Sequence, residues 1–98
     1  MAGIEWSDRA RISLRGIANY IAREAGRPTV ADKLVDAVHA KAEAHGRQPG
    51  MGSWHKDLPE TYRYFLHKRY VVIYEELNDG IRVLLVVDSA RDWTRMFE

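Results

Sequence analysis

The chain has no cysteine and no excess of charge of either sign, with 15 Lys and Arg against 14 Asp and Glu. The absence of thiols excludes disulfide bonds and thiolate metal sites, and it is compatible with a reducing cytoplasm. No apolar run approaches the roughly 18 residues that a membrane-spanning helix needs. Residues 1–6 do not resemble a secretory signal peptide. We therefore expect a cytoplasmic protein without membrane contact.

Composition predicts one globular domain over residues 1–98. Hydrophobic residues make up 46% and charged residues 30% of the chain, which is typical of a folded domain rather than a disordered segment. The C-terminal third interleaves arginines and lysines with carboxylates. This pattern predicts a solvated surface of mixed charge, and the alternative is a sheet face that touches an acidic partner.

Two segments carry the apolar spacing of amphipathic helices, residues 8–25 and 28–45. Gly26 and Pro28 between them are typical of a helix end followed by a helix start, so the helices should fold back as an antiparallel hairpin. Gly46 is predicted to be a left-handed cap that ends the second helix.

Alternating or continuous apolar residues mark strands before and after the helices. In the last strand the alternation predicts one common face for Ile81, Val83, Leu85 and Val87. The fold class is therefore α+β, in the order β-α-α-β-β-β, with a twisted and mainly antiparallel sheet and a helical hairpin on one face. The strands are expected at residues 4–6, 62–67, 70–77 and 81–88, with a hairpin turn at 78–80 and a final helical turn at 92–97.

Motifs for metal or cofactor chemistry are missing. The four histidines stand at scattered positions without a Cys–His or carboxylate set. The stretch Gly50-Met51-Gly52-Ser53 lacks the lysine and the spacing of a phosphate-binding loop. The serines have no convincing base and acid partners for a hydrolase triad. We expect neither a metal nor a cofactor.

Several short motifs, taken in order, resemble the RelE/ParE superfamily of toxins from prokaryotic type II toxin–antitoxin operons. Each is weak alone, but their order and spacing cover nearly the whole chain. The ending Ala-Arg-Asp-Trp is most similar to the ParE-like branch. The motifs are Ile17-Ala18-Asn19-Tyr20-Ile21-Ala22, Pro49-Gly50-Met51-Gly52, Tyr62-Arg63, Tyr70-Val71-Val72-Ile73-Tyr74 and Ala90-Arg91-Asp92-Trp93.

The resemblance implies one of two activities, because RelE-like members cleave messenger RNA on the ribosome whereas ParE-like members inhibit DNA gyrase. The nuclease set maps onto five positions of this chain. Arg63 and Arg91 retain basic groups there. Phe65, Val71 and Phe97 stand where two further basic residues and a proton-accepting tyrosine would be needed, and none of the three can transfer a proton or neutralise a phosphate.

The ParE-like branch implies a protein inhibitor of gyrase that is not itself an enzyme and that touches DNA at most through the gyrase–DNA complex. The target-binding candidates are Arg63, Arg91, Asp92 and Trp93. Arginines suit this task because they pair with carboxylates or DNA phosphates. The structural alternative is that Arg91 pairs with a carboxylate of the sheet while Trp93 seals the edge of the core.

Two other hypotheses remain open. In the first, the chain is a ribosome-dependent endoribonuclease, in which Arg63, Lys68 and Arg91 bind phosphate and Arg69 helps to replace a lost cation. In the second, it is a binding module without toxicity.

The family resemblance further implies a cognate antitoxin and a toxin–antitoxin hetero-oligomer. The apolar side of the helical hairpin offers a groove for an antitoxin segment, and an exposed strand edge can accept an added strand. The candidate residues are expected to divide between the core and this groove, and they are Leu14, Ile17, Ile21, Leu34 and Val38.

Overall fold

The computed structural model describes residues 3–97, so residues 1, 2 and 98 of the predicted domain lie outside the described part. The helices and strands follow the predicted order, and a π-helical turn and a 3₁₀ segment are inserted among them. The elements are β1 (Gly3–Trp6), α1 (Asp8–Asn19), the π-helical turn (Tyr20–Glu24), α2 (Pro28–Arg47), a 3₁₀ segment (Pro49–Met51), β2 (Tyr62–His67), β3 (Tyr70–Leu77), β4 (Gly80–Asp88) and the C-terminal 3₁₀ segment (Trp93–Phe97).

The strands of the described chain form a mixed sheet in the order β1-β4-β3-β2. β1 is parallel to β4, whereas β3 is antiparallel to both of its neighbours. The predicted α+β fold with a mainly antiparallel sheet is therefore confirmed. Gly80 follows the β3–β4 turn with a φ of +125°, and it also allows β1 to approach, because a Cβ there would lie 1.8 Å from the carbonyl oxygen of Gly3.

The helical hairpin differs in detail from the prediction. The expected helix to residue 25 ends as α-helix at Asn19 and continues as a π-helical turn, in which the Ala25 amide donates to the Tyr20 carbonyl at 3.1 Å. Gly26 then reverses the chain with a φ of +66°, as predicted. Among residues 3–97, no helix combines the length and the apolar character that crossing a bilayer requires.

Gly46 does not cap α2, so that prediction is wrong. The helix continues to Arg47, and Gly46 is buried inside it. A Cβ at this position would lie 2.8 Å from Cγ1 of Ile4. The glycine therefore serves close packing of β1 against α2 rather than a change of chain direction.

A β-bulge interrupts β4 at Leu84. The register pairs Tyr74 with Val83 but Ile73 with Leu85, which leaves Leu84 without a paired residue on β3. One extra residue reverses the alternation of side chains, so the predicted common face is wrong. The residues on the helical side are Ile81 and Val83, and those on the opposite side are Leu85 and Val87.

The sheet has two covered faces. We call the side under α1 and α2 the helical face, and the side under Leu58 and the C-terminal 3₁₀ segment the C-terminal face. The buried cluster on the helical face is Ala10, Leu14, Leu34, Val38, Ala42, Phe65, Val72, Tyr74, Ile81, Val83 and Val86. The buried cluster on the C-terminal face is Leu58, Val71, Ile73, Leu85 and Val87, with Tyr62, Tyr64, Leu84, Trp93, Met96 and Phe97 packed against it.

Candidate partner-binding surfaces

Many interleaved charges of the C-terminal third pair within the fold. This agrees with the mixed-charge surface that the sequence predicts, and it limits how many of these cations remain available to a partner. The pairs are Arg63–Glu76, Arg69–Asp88 at 2.6 Å, Arg82–Glu5 and Arg82–Glu75 at 3.1 Å each, and Arg95–Asp92 at 3.5 Å.

Arg63 belongs to a polar cluster on the helical face. Its guanidinium pairs with Glu76 and donates to the Gly52 carbonyl at 3.0 Å. The Tyr74 hydroxyl accepts from the Gly52 amide at 3.0 Å and donates to the Pro49 carbonyl at 2.5 Å. Burial raises the pKa of Tyr74, so its hydroxyl stays protonated and can donate this hydrogen bond. Arg63 thus fastens the 49–52 loop to the sheet.

Arg91 and Asp92 lie in the exposed turn after β4. The Arg91 amide donates to the Asp88 carbonyl at 3.0 Å, while its side chain is exposed. The pKa of Asp88 is lowered mainly by the Ala90 amide, which donates to its carboxylate at 2.9 Å, and further by the charges of Arg69 and Arg91. Arg91 is therefore an exposed residue that lies near a sheet carboxylate.

Trp93 packs on the C-terminal face. Its ring centroid lies 5.0 Å from that of Tyr64 and 5.3 Å from that of His55, with the rings tilted or edge-on. The tryptophan fixes the backbone that carries the two exposed charges before it. The structure thus brings three predicted target-binding residues together and leaves Arg63 on the opposite face of the sheet.

The positions of the nuclease set do not converge. Phe65 is 7% exposed on the helical face and stacks on His45 with ring centroids 4.3 Å apart. Val71 is 1% exposed on the other face. Phe97 contacts the Tyr62 ring at 5.4 Å between centroids. All three side chains therefore serve apolar packing.

The five antitoxin candidates differ in their burial. Leu14, Leu34 and Val38 are 5%, 6% and 0% exposed and belong to the core. Ile17 and Ile21 are half-buried at its margin. Only these last two offer substantial free surface.

A groove opens between the helical hairpin and the β2–β3 turn, and the candidates Ile21 and Leu34 are among its lining residues. It has a volume of about 920 Å³, and we call it the basic groove. Its lining residues without a charged or imidazole group are Ile21, Ala25, Val30, Leu34, Ala37 and Tyr70, and its remaining lining residues are Arg27, Lys33, His67, Lys68 and Arg69. The one signal in the sequence is the run His67-Lys68-Arg69 at a hairpin tip.

Two features of this hairpin tip are unusual. Lys68 has a φ of 54°, a left-handed conformation that costs a side chain such as lysine about 1 kcal/mol. The Nδ1 atom of His67 is shielded from solvent without a hydrogen-bond partner, although the ring as a whole is partly exposed. Burial and the charges of Lys41 and Lys68 lower the pKa of His67.

The histidines do not form a metal centre. The described residues contain no group of three His, Asp or Glu side chains placed to hold an ion. His45, for example, is buried against Phe65 and its Nδ1 lies 2.7 Å from the Lys41 carbonyl. Two surfaces with chemical character are the Arg91–Trp93 turn and the basic groove.

Comparison with known proteins agrees with this fold. The family model described as the ParE toxin of the type II toxin–antitoxin system parDE matches residues 4–93. A solved chain from the chromosomal ParDE TA system of P. aeruginosa matches with a TM-score of 0.73 and 17% identity, over 90% of this chain and 96% of that chain. No curated protein gives a match. The family match over nearly the whole chain shows that this protein belongs to the ParE toxins of type II toxin–antitoxin systems.

Proposed function

We propose that this toxin inhibits DNA gyrase in the cytoplasm and that a cognate antitoxin neutralises it in a hetero-oligomer. The observation that carries the proposal is the Arg91–Trp93 turn on a chain of the ParE family. Two exposed charges stand there beside a packed aromatic ring. The inhibition of gyrase is the activity that the resemblance to ParE-like toxins implies.

The turn has the chemistry of a partner-binding surface. Arg91 can pair with a carboxylate of gyrase or with a phosphate of the DNA that gyrase holds, and a guanidinium does so through two parallel hydrogen bonds. Packing of Trp93 against Tyr64 limits the movement of the turn, which reduces the entropy lost on binding. Arg63 contributes from a distance, because it stabilises the loop at residues 49–52.

The nuclease hypothesis receives less support. General acid–base cleavage of RNA needs proton-transfer groups around one phosphate. The mapped positions hold Phe65, Val71 and Phe97, which pack into clusters on two different faces of the sheet.

For the antitoxin we propose contacts with Ile17 and Ile21, the two half-buried candidates. Leu14, Leu34 and Val38 support these contacts from the core. An apolar strip of this kind suits an amphipathic segment of the antitoxin.

A supercoiling assay with purified DNA gyrase and relaxed plasmid tests the proposal. We expect the chain to suppress supercoiling and to raise the amount of cleaved DNA held by gyrase, and we expect the product of the adjacent gene to reverse both effects. Unchanged supercoiling and unchanged cleavage contradict the proposal. Primer extension after induction tests the nuclease hypothesis, and codon-linked cuts in messenger RNA would favour it. Normal growth of cells that express the chain without its partner would favour a non-toxic binding module.

A further inference from the structure

We propose that Arg9, in the first turn of α1, is a positioning residue for the Arg91–Trp93 turn. It fixes the turn by holding the far end of the C-terminal 3₁₀ segment (Trp93–Phe97), to which the turn is joined. Arg9 then acts on gyrase through Arg91 rather than by touching gyrase itself, a role that rests on the proposed function of the turn.

The helix alone does not explain an arginine at position 9. Arg9 is the second residue of α1, and the partial positive charge at a helix N-terminus disfavours a cation there. The neighbouring Arg11 offsets this effect with an ion pair to Asp8. Within residues 3–97, Arg9 has no ion pair of this kind. The contacts that hold its side chain are therefore those with a distant part of the chain.

Two contacts join Arg9 to the end of the C-terminal segment. Its Nη1 atom donates to the Met96 carbonyl at 3.1 Å, and its guanidinium carbon lies 5.2 Å from the centre of the Phe97 ring. The last carbonyls of a helix have no partner inside it, and a cation suits their partial negative charge. A guanidinium over a ring face adds a cation–π attraction. One side chain therefore holds both the backbone and the last ring of the segment.

The sheet holds the same segment from the other side. The ring centroids of Trp93 and Tyr64 are 5.0 Å apart, and those of Phe97 and Tyr62 are 5.4 Å apart. Phe97 thus contacts both β2 and Arg9 of α1. Without Arg9, ring contacts with the sheet would be the main restraint on the end of the segment, which could then pivot about Trp93.

Short backbone hydrogen bonds carry the position of the segment to Arg91. The Trp93 amide donates to the Arg91 carbonyl at 2.9 Å, and the Arg95 amide donates to the Asp92 carbonyl at 3.3 Å. Arg9 and Arg91 also line one cleft of about 310 Å³ beside β4. Movement of the segment therefore moves the Arg91 backbone. A fixed turn loses less entropy on binding than a moving one does, so the loss of Arg9 should weaken inhibition while Arg91 is intact.

The first measurement is the inhibition of gyrase supercoiling by full-length variants. In Arg9→Ala, the concentration for half-inhibition should rise about five-fold. Arg9→Lys should recover most of the potency, because an ammonium group can also donate to a carbonyl and lie over a ring. The matched control is Arg11→Ala, which removes an exposed arginine of the same helical turn. Arg11 contacts Trp6 and Asp8 instead of the C-terminal segment, so this variant should inhibit like the unaltered chain.

The second measurement follows the segment directly and does not involve gyrase. In a chain with Trp6→Phe and Trp54→Phe, Trp93 is the single tryptophan. Acrylamide quenching of its fluorescence should rise about two-fold on Arg9→Ala, because the segment opens more often, and should stay the same on Arg11→Ala. The measurement is made well below the unfolding transition, where a variant that is only less stable quenches like the unaltered chain.

Three results separate the positioning role from its alternatives. Equal potency of Arg9→Ala and the unaltered chain overturns the role, and so does equal quenching of Trp93 in the two. A loss of potency that Arg9→Lys does not recover, with quenching unchanged, means that Arg9 itself touches gyrase, and this also overturns it. The proposed function fails separately, if the unaltered chain does not inhibit gyrase, and quenching then still decides whether Arg9 holds the segment.

Discussion

The two faces of the sheet are covered in different ways. The helical face lies under α1 and α2, and a polar cluster of Tyr74, Arg63 and Glu76 locks the adjoining loop. The C-terminal face lies under Leu58 and a short 3₁₀ segment that rests on aromatic edges. Long helices and a satisfied polar cluster should resist rearrangement, whereas a short covering segment can adjust. We therefore expect the helical face to supply most of the stability, and the turn that we propose for gyrase binding lies at the edge of the other face.

The largest expected loss of stability comes from a change beside the polar cluster of Tyr74, Arg63 and Glu76. In Gly52→Ala, the new Cβ would lie 2.3 Å from the Tyr74 hydroxyl oxygen, so the loop or the buried tyrosine must move. We expect a loss of about 3 kcal/mol in the free energy of unfolding, measured with urea. Gly50→Ala is the control, because nothing lies within 4 Å of its Cβ position. Equal stability of the two variants would show that the loop is not locked.

Two neighbouring valines of β3 provide a matched comparison of the faces. Val72 is 0% exposed under the helices, and Val71 is 1% exposed under the C-terminal segment. Val72→Ala should cost about 2 kcal/mol and Val71→Ala about 1 kcal/mol, because a short segment closes a cavity more easily than two packed helices do. Urea unfolding of both variants measures the difference. A larger loss of stability in Val71→Ala than in Val72→Ala would contradict this comparison of the two faces.

A smaller change in the free energy of unfolding is expected when His67, at the end of β2, takes up a proton. The lowered pKa means that the unfolded chain takes up a proton before the folded chain does. The stability from the neutral ring is therefore full above pH 6.5, the ordinary pKa, and is lost as the pH falls through 6.5 towards the folded value. Urea midpoints between pH 8 and pH 5 measure this loss.

His67→Gln should flatten that part of the pH profile, whereas His39→Gln, at an exposed ring against Trp6, should leave it in place. A His67→Gln profile that matches the unaltered chain would mean that another group is responsible.

The order of elements was predictable because the local patterns were strong. β2 and β3 match their predicted bounds, whereas β4 begins at Gly80, one residue before the predicted start at 81. The bulge at Leu84 was not predictable, since β4 is apolar on both faces and either alternation fits its sequence. Gly46 likewise looked like a cap, because its contact with Ile4 depends on packing between distant segments.

The candidate site was only partly predictable for the same reason. Arg63 and Arg91 look alike in sequence, and only the register that places Arg63 near Glu76 separates them. The basic groove joins Lys33 to Lys68, which are far apart in the chain and meet because α2 packs beside the β2–β3 turn. Sequence spacing carries no signal for such a meeting.

The central claim is that the groups that hold the fold together are separate from those that we propose bind gyrase, and Arg91→Ala tests it most directly. The variant should unfold within about 0.5 kcal/mol of the unaltered chain, because its side chain is exposed. It should nevertheless lose about ten-fold or more of its inhibition of gyrase supercoiling. The control is Arg23→Ala, at an exposed arginine of the π-helical turn, which should inhibit normally. An Arg91→Ala chain that is folded and inhibits gyrase as strongly as the unaltered chain would contradict the account.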